Sequence, residues 1–222
     1  VRDLSVSFRM YERGLRQKES LAIRNLSLSV KKGEILAVFG SSGAGKSLLA
    51  HAILGILPPN AQVAGELLYC GKPLKPKLQQ KLRGKEIALV PQSTTYLNPL
   101  MRIGKQVAGA DGHQEGMKKE RTKAALQKYG LSGFVEKLFP FQLSGGMARR
   151  VLLATAVVGD AQLIIADEPT PGLSEEIAQT AMQHLRALAD EGRGILLITH
   201  DIDLALAYAD RIAIFYAGTT VE

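Results

Sequence analysis

No apolar run in this chain is long enough to cross a bilayer. The longest, at 48–57 and 151–158, are interrupted by His51 and Thr155 and fall short of the roughly 18 to 20 residues a spanning helix needs. The chain opens Val-Arg-Asp instead of with a basic and then apolar leader, so no secretory signal is expected and a cytosolic placement follows. Cysteine is nearly absent: Cys70 stands alone, which excludes an internal disulfide, and it is expected to be a small core residue without a chemical role. Internal repeats and low-complexity tracts are lacking as well. The formal net charge is +7, yet the basic residues are spread over 13–18, 72–85, 102–105 and 117–128 among Glu and Gln. No aromatic stacking platform accompanies them, so a solvated docking face is expected and no nucleic-acid partner.

What the chain does have is material for a core. Of its 222 residues, 46% are hydrophobic and 22% charged, and the length fits one core carrying an inserted subdomain. Leu4, Val6 and Phe8 alternate like a strand, as do Leu26, Leu28 and Val30, and an apolar strand at 35–39 follows. Further strands are predicted at 66–69, 87–90, 163–166, 195–199 and 211–217. Helices are predicted after residue 47 up to Pro58-Pro59 and over 118–129, 147–158, 175–190 and 201–209, with the polar stretch 109–116 separating helical patterns. Continuous Ile/Leu/Val strands alternating with helices predict an α/β fold with a parallel sheet covered on both faces.

The strand at 35–39 runs into Gly40-Ser41-Ser42-Gly43-Ala44-Gly45-Lys46-Ser47 and then a helix. This is G-x-x-x-x-G-K-S in the context the motif requires. Glycines let successive N–H groups turn inward onto phosphate oxygens, the helix start adds its positive dipole end, Lys46 supplies a charge to the outer phosphates, and the Ser47 hydroxyl is a ligand for magnesium. The strand at 163–166 ends in Asp167 and Glu168: the first is placed to serve a magnesium ion, the second to take a proton from attacking water. A phosphate loop and an acidic strand end alone fit kinases, GTPases, helicases and transport ATPases. The discriminating segment is Leu143-Ser144-Gly145-Gly146-Met147, where a capping serine and two glycines open a helix and expose N–H groups. That makes a second anion site, suggesting a site completed by a partner subunit.

These segments, with Gln92 and His200 in the same order along the chain, resemble the ATP-binding subunits of ABC transporters. The resemblance implies a P-loop NTPase core at 1–92 and 159–222 with an N-terminal antiparallel β region, and an inserted helical subdomain at 93–158. It implies ATP and Mg2+ as ligands, with Ser47, Gln92 and Asp167 toward the metal. Glu168 becomes the general base, His200 the sensor of the terminal phosphate, and Gln92 a water contact and hinge to a membrane subunit. Two subunits are expected to close head to tail, each ATP lying between one phosphate loop and the other subunit's Ser144, Gly145, Gly146 and Met147. An aromatic stacking on adenine is expected at the end of the first strand, at Phe8 or, as second choice, Tyr11; Phe8 equally fits a core position. His51, His113 and His184 are left structural.

Residues 82–88, Gln92, Leu97-Asn98-Pro99-Leu100, residues 55–58 and 64–66, and a signature ending in Met147 resemble the oligopeptide, dipeptide and nickel importer group. That implies integral membrane permease subunits as partners, an extracytoplasmic binding protein acting indirectly, and a peripheral position on the cytoplasmic face of the membrane. Two departures stand out. Pro171-Gly172-Leu173-Ser174 replaces the family's Ser-Ala-Leu-Asp, removing an aspartate that contacts the opposite subunit and favouring a heterodimer over a homodimer. Ala148-Arg149-Arg150 replaces the usual Arg-Gln-Arg. The chain also ends at Glu222, where members of the family continue. The rival expectations are a soluble ABC-type ATPase acting on DNA or ribosomes, and a nucleotide-dependent kinase.

Overall fold

The computed structural model describes residues 1–11, 17–41, 43–110, 115–216 and 218–220. In chain order the strands are β1 (Arg2–Tyr11), β2 (Gln17–Leu26), β3 (Ile35–Phe39), β4 (Ala61–Glu66), β5 (Leu68–Tyr69), β6 (Lys72–Pro73), β7 (Ile87–Val90), β8 (Leu163–Asp167), β9 (Gly194–Thr199), β10 (Arg211–Tyr216) and β11 (Thr219–Thr220). The helices are α1 (Lys46–Leu54), α2 (Pro76–Leu82), α3 (Ile103–Ala110), α4 (Glu115–Lys128), α5 (Gly145–Val157), α6 (Glu175–Asp190) and α7 (Ile202–Tyr208).

The central sheet has the order β11-β10-β3-β9-β8-β7. From β10 to β7 every pairing is parallel, and β11 adds an antiparallel edge. Its inner strands β3, β8 and β9 are almost wholly apolar because both of their faces are buried, with Asp167 and Thr199 only at their carboxyl ends. Ile35, Ala37, Ile195 and Leu197 face a cluster shared with α3, α4, α5 and α6. Leu36, Val38, Leu196 and Ile198 face the other way, into a cluster with Leu49 and Ile53 of α1 and with Leu4, Val6 and Ile23 of a second sheet, β2-β1-β4, whose pairings are antiparallel. The predicted alternation of helices and buried strands thus yields one parallel sheet between two apolar layers. Segment 93–158 has no strand among its described residues, and its helices close over one face of the sheet.

Three local expectations are corrected. The second strand ends at Leu26, so Leu28 and Val30 pack against the core as connecting chain, not as strand; the strand lies instead at 17–26, where β1 provides a partner for its backbone. The strand expected at 66–69 is broken at Leu67: residues 61–66 pair with β1, and Leu68–Tyr69 turn into a separate hairpin with β6. Cys70 is exposed, not a core residue. It forms the hairpin turn with Gly71, and both have positive φ (49° and 75°), the backbone of a tight turn that matches the twist of the flanking strands.

Candidate nucleotide site

The carboxyl ends of three neighbouring strands build the site. Phe39 pairs with Thr199 and Ile198 with Asp167, so the segments leaving β3, β8 and β9 emerge level with one another. The Gly40 amide reaches the Thr199 carbonyl at 3.4 Å, and the Glu168 amide donates to the Ile198 carbonyl at 2.9 Å. In an open parallel sheet this edge is the ligand crevice.

The loop after β3 turns through left-handed glycines, Gly43 (φ 80°) and Gly45 (φ 96°). A side-chain carbon on Gly40 would collide with the carbonyl oxygen of Phe215, and one on Gly45 would sit 2.9 Å from that of Ala22. The loop therefore nests against β10 and β2 with room for hydrogen only. Gly45 caps α1 without a side chain, which leaves the first helical amides free to face an anion. Of the phosphate-loop residues, Ser41 and Ala44 lie in the described loop, and Ser42 lies outside the described residues.

Lys46 folds beneath this loop. Its Nζ donates to the Gly40 carbonyl at 2.6 Å and to the Ser41 carbonyl at 2.9 Å, and lies 4.0 Å from Glu168 Oε1 with both side chains at most 7% exposed. Asp167 is buried; burial pushes its carboxyl above the usual carboxylate range, the nearby Ser47 hydroxyl pulls the other way, and the neighbouring Glu168 charge adds to the rise. One oxygen of each carboxylate, Asp167 Oδ1 and Glu168 Oε2, is buried without a hydrogen-bond partner. Such orphaned acceptors cost free energy unless something else satisfies them.

Glu168 adopts φ 49°, a left-handed backbone that costs a non-glycine residue about 1–2 kcal/mol. His200 Nδ1 lies 2.8 Å from Glu168 Oε1. An ionised carboxylate only accepts, so this contact places the imidazole proton on Nδ1. The His200 ring itself is more than half exposed, at 57%, at the crevice mouth. Gln92, just beyond β7, lines a pocket of roughly 310 Å³ together with Gly43, Gly45, Lys46, Ser47, Leu48 and Glu168.

The structure thus brings together the loop residues, Lys46, Ser47, Gln92, Asp167, Glu168 and His200. It keeps the other expected group apart. Ser144 caps α5, accepting from the Met147 amide at 3.2 Å, while Ser144 and Gly145 are exposed and none of 144–147 lines the phosphate-loop pocket. Phe8 sits within β1, not at its end, half-buried against the cluster beneath the antiparallel sheet; the Tyr11 side chain lies outside the described residues.

Two features escaped the sequence reading. His51 Nε2 is 2.9 Å from the Tyr96 hydroxyl, tying α1 to the segment after Gln92. Its position one turn beyond Ser47 on α1 was the available signal. Arg149 Nη1 donates to the Glu168 carbonyl at 2.8 Å; nothing in the spacing of the α5 sequence marks that direction.

A family model described as ABC transporter matches residues 23–171. The chain belongs to the ABC transporter family. This family member is 39% identical to the oligopeptide transport ATP-binding protein OppD of Bacillus subtilis, with 100% of the chain matching 64% of that protein. It is 37% identical to the dipeptide transport ATP-binding protein DppD of Lactococcus lactis subsp. cremoris, with 100% of the chain matching 66% of that protein. The chain therefore spans slightly less than two thirds of the length of these relatives. Among solved structures, a dimeric post-hydrolysis state of the ATP-binding cassette MJ0796 bound to ADP and Pi superposes with a TM-score of 0.84 at 26% identity, covering 99% of this chain and 97% of that one. None of these descriptions points to DNA or ribosomes.

Proposed function

We propose that this chain is the ATP-hydrolysing subunit of a peptide importer. The observation that carries the reading is the convergence, at one sheet edge, of a phosphate loop, the Ser47–Asp167 pair and a buried Glu168 held between Lys46 and His200. Loop amides and Lys46 bind the triphosphate. Glu168 accepts the proton of the water that attacks the terminal phosphorus as the bond to ADP breaks, and His200 orients the Glu168 carboxylate and meets the same phosphate. The orphaned Asp167 oxygen and the Ser47 hydroxyl suit Mg2+; with Gln92 they would hold the ion, whose chemistry there is neutralisation of phosphate charge.

The separation of 144–147 from the loop of the same chain supports a head-to-tail dimer in which those residues close over the partner's nucleotide. Ser174 at the position of the family aspartate favours a different ATPase chain as that partner. We assign the core to 1–92 and 159–222 and the helical subdomain to 93–158. The segment after Gln92 presents Leu100, 88% exposed, toward membrane permease subunits. The chain then sits peripherally at the cytoplasmic face, with an extracytoplasmic binding protein acting through the permease; among the described residues no helix is long and apolar enough to cross a membrane.

The names of the relatives favour peptide over nickel as cargo. Uptake of a labelled dipeptide by the assembled transporter is expected and should vanish with Glu168→Gln. Uptake of nickel alone would overturn the peptide assignment.

A further inference from the structure

The backbone of Glu168 is held in an unfavourable conformation by contacts from two directions. From the sheet, the Ile198 carbonyl accepts from its amide at 2.9 Å and His200 Nδ1 donates to its carboxylate at 2.8 Å. From the helical layer comes Arg149 of α5, whose Nη1 donates to the Glu168 carbonyl at 2.8 Å. The next residue is Pro169, which has no N–H to close a local turn and disfavours helical geometry at the residue before it. The local sequence thus does nothing to hold φ at 49°, and the guanidinium fixes the one backbone polar atom of Glu168 that the sheet leaves open.

We propose that Arg149 is a positioning residue for Glu168, linking the start of α5 to the proposed base. α5 begins at Gly145, its serine cap is Ser144, and Arg149 lies little more than a turn along it. A rigid helix turn therefore connects the segment that would receive the partner's nucleotide with the carbonyl of the residue that acts on this chain's own nucleotide. A side-chain carbon added to Gly146 would lie 3.5 Å from the Gly172 carbonyl, so the start of α5 runs beside the connection from Glu168 to α6. Gln, the usual family residue at this position, has a shorter side chain and no charge with which to make a charge-assisted bond to that carbonyl. The inference rests on the reading of Glu168 as the base.

The test is steady-state ATP hydrolysis by the full chain with its partner subunits, for wild type, Arg149→Ala, Arg149→Met, Arg149→Lys and Glu168→Gln. Arg149→Ala and Arg149→Met should lower kcat by about tenfold or more, with KM for ATP within about twofold. Arg149→Lys, which keeps a cationic donor, should recover most of the loss. In the Glu168→Gln background, Arg149→Met should cost nothing further, because residues acting as a unit are non-additive. Arg149→Met preserves the packing of the side-chain stem and decides the matter if Arg149→Ala fails to fold. An unchanged kcat, a change confined to KM, or a full additional loss beside Glu168→Gln would overturn the proposal while a large effect of Glu168→Gln alone left the base assignment standing. Full turnover by Glu168→Gln would overturn both.

Discussion

Gly40 shows at residue scale why the phosphate loop tolerates so little. It is the first residue beyond β3, and any side chain there meets the backbone carbonyl of Phe215, which cannot swing aside as a side chain would. Gly40→Ala should therefore shift β10 or the loop at a cost of about 1–3 kcal/mol. Denaturant unfolding should show a lower midpoint, and titration with ATP a weaker affinity, because the Gly40 carbonyl also receives the Lys46 amine. The Lys46–Glu168 pair is nearly dry, so its two charges depend on each other and on the carbonyls around them; removing either leaves an uncompensated buried group. The placement of Lys46, Glu168 and His200 at one sheet edge was legible because a phosphate loop and an acidic strand end carry their spacing in the local sequence. Cys70 was not, since a rule about how often cysteine is buried carries no information about a two-residue turn. Arg149 was visible only as a departure from the family pattern, and its contact depends on how α5 crosses the end of β8.

The elements that position the site are held by buried polar pairs as well as apolar packing. Buried Gln79 of α2 donates to the Ala52 and Ile53 carbonyls at 2.8 and 3.1 Å, closing the carboxyl end of α1 whose other end carries the phosphate loop. Tyr129, just past α4 and fully buried, hydrogen-bonds His184 Nδ1 of α6 at 2.7 Å. Burial, helped by Lys128 and Arg193, lowers the His184 pKa to about 4. The sign follows directly: between pH 6.5 and about 4 the unfolded chain binds a proton that the folded chain refuses, so stability falls as pH falls through that window and is unaffected above it. Thermal melts at stepped pH should show this decline, and His184→Gln, which keeps a partner for Tyr129, should flatten it; a slope identical in the two proteins would remove His184 as its source. At this scale the parallel strands and long helices were readable because continuous apolar runs and helical spacing are strong local signals. The boundary of β2 and the break at Leu67 were not, because pairing with β1 decides them and pairing is not local.

The whole molecule places its two glycine-rich helix starts on different surfaces. The crevice is lined by the loop, Gln92 and Glu168, with His200 on the Glu168 carboxylate, whereas Ser144 and Gly145 are exposed at the start of α5. That arrangement is what makes a second subunit part of the proposed site, and the match to a dimeric cassette fold is in keeping with it. The exposed Leu100 and Phe141, 88% and 76% accessible, lie in the helical segment on either side of α3 and α4 and give the same segment apolar surface for a further partner. Turnover of ATP by the wild-type chain and by Glu168→Gln, with nucleotide binding measured on both, tests directly whether Glu168 is the base. Glu168→Gln should lose on the order of 10² to 10⁴ in turnover with ATP still bound; turnover at the wild-type rate would contradict the role of Glu168.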